Sequence, residues 1–326
     1  ITLAATRTDY NSLYTLVLLS VMFYMPTIAL SNSVAYNALE KAGLDTVTHF
    51  PPIRVWGTVG FICAMWVVDL GKMGLSATQL YFSATLGLIL GLYSFTLPNC
   101  PINRSGGGKS IVDLLGLRAF ALFKQRKMAI FFIFSMLLGM SLQITNAFAD
   151  GYIKSFGDTG IHGAKYLGTF GVEHSTILIS LSQISETLCI LLIPFFLKRF
   201  GIKRVMLIAM FAWVLRFALL GAGNPGPGVW MFILSMIVYG VAFDFFNISG
   251  SLFVEKETSA AIRSSAQGVF MIMTNGLGAL IGSYLAGWVV NHYGWPLSWY
   301  LFAGFSLVVA IVFAVIFKYK HDPNRI

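Results

Sequence analysis

The chain has 326 residues, of which 57% are hydrophobic, 15% aromatic and only 11% charged, with a formal net charge of +9. A soluble domain carries about 25% charged residues, and its wetted surface leaves no place for the mean hydropathy of +0.76 found here. Sparse charge and abundant aromatic residues exclude disorder. Cys63, Cys100 and Cys189, all in or beside apolar runs, form neither a disulfide framework nor a metal spacing.

Nine apolar segments long enough to cross about 30 Å of hydrocarbon succeed one another: 11–36, 53–70, 78–98, 128–149, 175–197, 205–222, 229–253, 264–290 and 296–317. They predict an all-α membrane protein. Of the 22 basic residues, 16 fall in one alternate set of connections: around Lys41, between Arg104 and Lys127, in Lys198–Arg204, at Lys256 and Arg263, and from Lys318 to Arg325. The opposite set holds only Arg7, Lys72, Lys154 and Lys165. This asymmetry is the positive-inside rule, so the basic charge signals topology and not nucleic acid. It places 99–127 and the C-terminal tail in the cytoplasm.

The connection 99–127 opens on a glycine run, Gly106 to Gly108. Ile111, Leu114, Leu115 and Leu122 then share one face, with Asp113, Arg118 and Lys124 off it, which predicts an amphipathic helix on the membrane surface. Three spans precede this linker and six come after it. The expected organisation is a partial N-terminal bundle over 1–98, a cytoplasmic linker over 99–127, and a six-helix bundle with a short cytoplasmic tail over 128–326. Nine spans is an awkward number for a carrier built from repeats, and the chain starts at Ile1, so three further N-terminal spans are expected to precede it. Gly278 and Gly282 form a GxxxG pair that predicts close helix packing.

Polar residues inside the spans are costly, about 2.5–3.5 kcal/mol for a charge at mid-membrane, and persist mostly where they face a cavity or a partner. Glu186 lies near the centre of span 175–197, and Asp244 in the inner half of span 229–253. An ion pair with Arg216 or Arg54 is the plain structural alternative for either acid. Each acid has companions at helical spacing: Gln183 three residues before Glu186, Asn247 three after Asp244, and Tyr239 and Phe243 on one stripe. Gln143 and Asn146 share a face of span 128–149, and Arg54, Thr58 and Phe61 share one of span 53–70. Lipid gives no reason for four such stripes; a polar chamber between helices does. Amides can pair with the edge of a base, rings can stack on its face, and a carboxylate can accept sugar hydroxyls. The histidines (His49, His162, His174, His292 and His321) lie near span ends or in connections, without ligand spacing. No nucleophile–base or metal constellation appears.

Four stretches resemble the signature segments of the bacterial nucleoside:proton symporters, the nucleoside and xanthosine permeases of the major facilitator superfamily. They are Phe50–Thr58, Leu142–Asn146, Ser182–Thr187 and Ala242–Gly250, and the similarity continues to Lys320. The resemblance implies a major facilitator fold of twelve helices, of which nine would be present here. It implies that Arg54, Thr58, Phe61, Gln143, Asn146, Gln183, Glu186, Tyr239 and Phe243 contact the nucleoside, and that Asp244, with Glu186, serves proton coupling. The proton gradient would be the energy source, with no cofactor. The expected partners are nucleosides, protons and lipid, and the expected setting is the bacterial inner membrane, as a monomer. A sugar or drug carrier of the same superfamily and a non-transporting membrane sensor are the alternatives.

Overall fold

The structure is a computed structural model that describes residues 1–44, 46–74, 76–97, 117–158, 163–259 and 262–319. Among these, every regular element is a helix. The chain divides into two compact units, Ile1–Gly106 and Gly107–Ile326.

The first unit holds α1 (Tyr10–Lys41), α2 (Thr46–Leu70) and α3 (Thr78–Ser94). The one-turn helix Thr2–Ala5 packs on α1 and α3, and α1 packs on α2. Asp9 starts α1: its Oδ2 accepts the Ser12 N–H at 2.9 Å, satisfying one of the orphan donors of the first turn. Phe23, Trp56, Leu88 and Tyr93 point outward. Outward apolar side chains suit helices whose surroundings are acyl chains.

The second unit is built from α4 (Arg126–Ser155), α5 (Ser175–Ala222), α6 (Val229–Glu257), α7 and α8 (Trp295–Ile316). At 48 residues, α5 would extend about 70 Å if straight, well over twice the hydrocarbon thickness. It breaks at Gly201, where φ is 76° and ψ 165°. Only glycine adopts that backbone without strain, so the expected connection 198–204 contracts to a one-residue corner. α7 is composite: Arg263–Met271, a π-helical stretch Ile272–Gly278, then Ala279–Tyr293.

α5 packs along α6 and α8, and α4 along α7. Glycines allow the α4–α7 approach. A Cβ on Gly139 would overlap the Thr274 carbonyl oxygen, one on Gly278 would lie 2.6 Å from that of Met136, and one on Gly282 would lie 2.7 Å from Met140 Cα. Phe131 centres an aromatic core with Phe253, Phe270 and Phe132, at centroid distances of 4.6, 5.4 and 5.6 Å. Buried hydroxyls are bonded between helices: Tyr152 Oη donates to Leu220 O at 3.1 Å, Ser141 and Ser306 meet at 3.3 Å, and Ser185 donates to the Ile237 carbonyl. Such bonds meet the requirement that polar groups away from water find partners. At the other end, Lys127 Nζ pairs with Glu257 Oε1 at 2.5 Å and lies 4.7 Å from the Tyr319 ring centre.

Of the expected surface helix, residues 99–116 lie outside the described residues. Leu117–Lys124 is a 3-10 helix, and its Leu122, 3% exposed, belongs to the bundle core. It packs against α4 and the start of α7, which gives it an apolar partner within the protein. Among the described residues, five helices are long and apolar enough to cross a membrane: Arg126–Ser155, Ser175–Ala222, Val229–Glu257, Ser265–Tyr293 and Trp295–Ile316.

Candidate functional site

Tyr239 of α6 is the point where the polar stripes of the second unit meet. The i, i+4 spacing of α6 brings Phe243 beside it, with ring centroids 5.8 Å apart and planes inclined by 20°. Asn146 of α4 is a polar neighbour of its side chain, and Glu186 of α5 and Asp244 of α6 are its acidic neighbours. Arg216, from the second half of α5, lies over its ring with the guanidinium carbon 4.6 Å from the centroid. Trp213 meets the same ring edge-on at 6.0 Å. Three helices therefore contribute an amide, two acids, a cation and three aromatic rings to one cluster.

Arg216 is 1% exposed. Its Nε donates to Thr145 Oγ1 at 3.1 Å and its Nη1 to Ser235 O at 2.6 Å. These partners, together with the Tyr239 ring, are what a buried guanidinium needs. Asp244 is 3% exposed, and Cys189 of α5 is among its neighbours. Glu186 and Gln183 are half-buried. Gln183 lies on the same face of α5, and among the described residues its side chain makes no hydrogen bond to the Tyr239 cluster.

Two hollows lie in the second unit, and the smaller one adjoins the cluster through Trp213 and Phe243. A small one, about 20 Å³, is lined by Leu142, Phe243, Asn247, Thr274 and Asn275 among others, and a volume of that order holds about one water. A broad open groove of about 880 Å³ is lined by Gln143, Asn275, Ser283 and Tyr284 with neighbouring residues of α7. Gln143 thus faces the groove, while Asn146, three residues on, faces Tyr239. Thr58 and Phe61 lie on α2 in the first unit, Thr58 half-buried and Phe61 54% exposed. Arg54 is in the same helix, and its side chain lies outside the described residues. Sequence periodicity gave no hint of Asn275. The available signal was a polar Thr274-Asn275-Gly276 triplet inside an apolar span.

Long apolar helices around an intramembrane polar cluster define a multi-pass membrane protein with a polar site between its helices. Residues 1–322 match the family described as nucleoside H⁺ symporters, and the chain belongs to that family. It is 52% identical to the nucleoside permease NupG of Escherichia coli (strain K12) over 326 residues, which covers 98% of this chain and 77% of that protein. It is 50% identical to the xanthosine permease of the same organism, covering 99% of this chain and 78% of the permease. The crystal structure of a mutant of the nucleoside transporter NupG superimposes with a TM-score of 0.90 at 52% identity, covering 97% of this chain and 79% of that one. These relatives are permeases and transporters, not enzymes.

Proposed function

We propose that the protein is a proton-driven nucleoside importer of the bacterial inner membrane, with nine of the twelve spans of a major facilitator fold in this chain. Family membership over residues 1–322 supports the activity. The observation that carries the site is the convergence of Asn146, Glu186, Asp244 and Arg216 on Tyr239. In this reading Gln143, Asn146, Gln183 and Glu186 bind the nucleoside, with Tyr239 and Phe243 stacking on its base and Arg54, Thr58 and Phe61 completing the chamber. Asp244, with Glu186 near the same Tyr239, takes the proton.

The mechanism is set by charge. An ionised carboxylate in an apolar setting resists occlusion. Protonation outside, where the pH is lower, neutralises one acid, and nucleoside binding fills the polar groups around it. The loaded, neutral site can then rock inward. Proton loss to the cytoplasm and nucleoside release return the carrier outward. One proton moving through 100 mV supplies about 2.3 kcal/mol, enough for roughly fifty-fold accumulation. The excess of basic residues in alternate connections supports a cytoplasmic C-terminal tail.

The test is radiolabelled uridine uptake against pH, with and without a protonophore. Uptake should rise as the outside acidifies and collapse with the gradient; indifference to the protonophore rules out symport. Asp244→Asn should lose accumulation while retaining uridine binding, and uphill transport by that variant would remove Asp244 from the coupling step.

A further inference from the structure

Asn275 sits in the middle of an apolar helix. A carboxamide in such a place usually bonds to a neighbouring helix. Among the described residues this one reaches only Met271 Sδ, at 3.7 Å from its Nδ2, and a thioether is a weak acceptor. The side chain is exposed, so its carbonyl oxygen and most of its donor capacity face open space.

The backbone explains how it comes to be there. Asn275 lies within the π-helical stretch Ile272–Gly278, where an extra residue in the turn rotates the rest of the helix by about 100° relative to a regular one. Such turns are uncommon and concentrate at functional positions. Gly139 and Gly278 let α4 and α7 touch backbone to backbone on either side of it, at Thr274 and Met136. Asn275 is therefore anchored by its chain neighbours while its own side chain is left over. Among the described residues it is the one that lines both hollows. In the small one its companions include Phe243 and Asn247; in the groove they include Gln143 and Ser283.

We propose that Asn275 is a further substrate-contacting residue whose carboxamide reads the hydrogen-bonding edge of the nucleobase, a role that rests on the nucleoside transport proposed above. The base is favoured over the ribose by what lines the hollows. Amides and aromatic rings are there, and among the described residues no carboxylate is. Carboxylates are the stronger acceptors for sugar hydroxyls, and they gather instead at Tyr239. A carboxamide offers one acceptor and two donors and can pair two-fold with a base edge. Phe243, stacked on Tyr239, supplies a surface for the face of the same base.

The experiment uses the full-length protein in proteoliposomes with an imposed proton gradient, and reads KM and kcat for adenosine, inosine and uridine. Asn275→Ala should raise KM by about five- to ten-fold for the base it pairs best, as expected for one lost hydrogen bond, and by clearly less for the others. The kcat should stay within about two-fold. Asn275→Asp, of equal size, keeps an acceptor but loses the amide donors, and should change the order of preference among the three. Thermal unfolding of both variants should match the parent. An unchanged KM, an equal rise for all three nucleosides, or a fall in kcat at constant KM would each overturn the assignment, the last by pointing to helix movement. Parent protein that moves none of the three would overturn the transport reading, and Asn275's role with it.

Discussion

Arg216 shows how one buried charge is made tolerable. Desolvating a guanidinium costs several kcal/mol, and here the cost is offset by Thr145, the Ser235 carbonyl and the Tyr239 face. Ser235 Oγ donates in turn to the Arg216 carbonyl at 3.1 Å, so the two halves of the contact lock each other. Lysine has a point charge without the planar fork, and cannot make the Nε and Nη1 bonds at once while covering a ring. Arg216→Lys should therefore lower stability by about 1–3 kcal/mol, read as a fall in the melting midpoint in detergent, and should weaken nucleoside binding by freeing Tyr239. An unchanged midpoint would show that the network contributes nothing. Asp9 is a smaller case, at the exposed start of α1. The Ser12 hydrogen bonds hold its carboxyl below the usual 3.8. A depressed folded value means that the cap is fully present above pH 3.8 and is lost as the pH falls through the folded value below it. Amide exchange in the first turn of α1 should accelerate over that acid range, and Asp9→Ala should show the faster exchange already at neutral pH.

Among the elements, α4 and α7 depend on absent side chains. Gly139→Ala would drive a methyl into the Thr274 carbonyl oxygen, and backbone cannot yield as a side chain tip does. A loss of about 1–3 kcal/mol is expected, again as a lower melting midpoint. Gly268→Ala on the composite helix α7 is the contrast: nothing lies within 4 Å of its added methyl, and the helix gains about 0.5–1 kcal/mol of propensity. If both variants melt alike, the two helices are not in backbone contact. The pair Gly278 and Gly282 announced this packing in the sequence by its spacing. Gly139, on the facing helix, had no partner in any local pattern and was legible only once α4 and α7 were seen side by side.

For the whole molecule, the orientation rests on the basic residues crowding alternate connections. In a chain whose own cysteines are replaced, Lys165→Cys should react with a membrane-impermeant maleimide on intact cells. Arg199→Cys, exposed beside the Gly201 corner, should react only after permeabilisation. The reverse pattern would invert the topology and with it the direction in which the proton is expected to travel.

Sequence alone determined that the protein is helical and membrane-embedded, because runs of about 20 apolar residues in lipid must satisfy their backbone within each helix. It also marked Gln143, Asn146, Gln183, Glu186, Tyr239, Phe243 and Asp244 as residues to explain, since their helical spacing is a local property. Tertiary structure alone decided which of these meet. The sequence left an ion pair with Arg216 open for either acid; in the fold Arg216 bonds to Thr145 and Ser235 and shares Tyr239 with Glu186 and Asp244. The connection expected at 198–204 became the single corner at Gly201, and the π-turn exposed Asn275. The first turns on one backbone angle and the second on an irregular turn where α4 and α7 meet, and a period of about 3.6 residues carries no record of either.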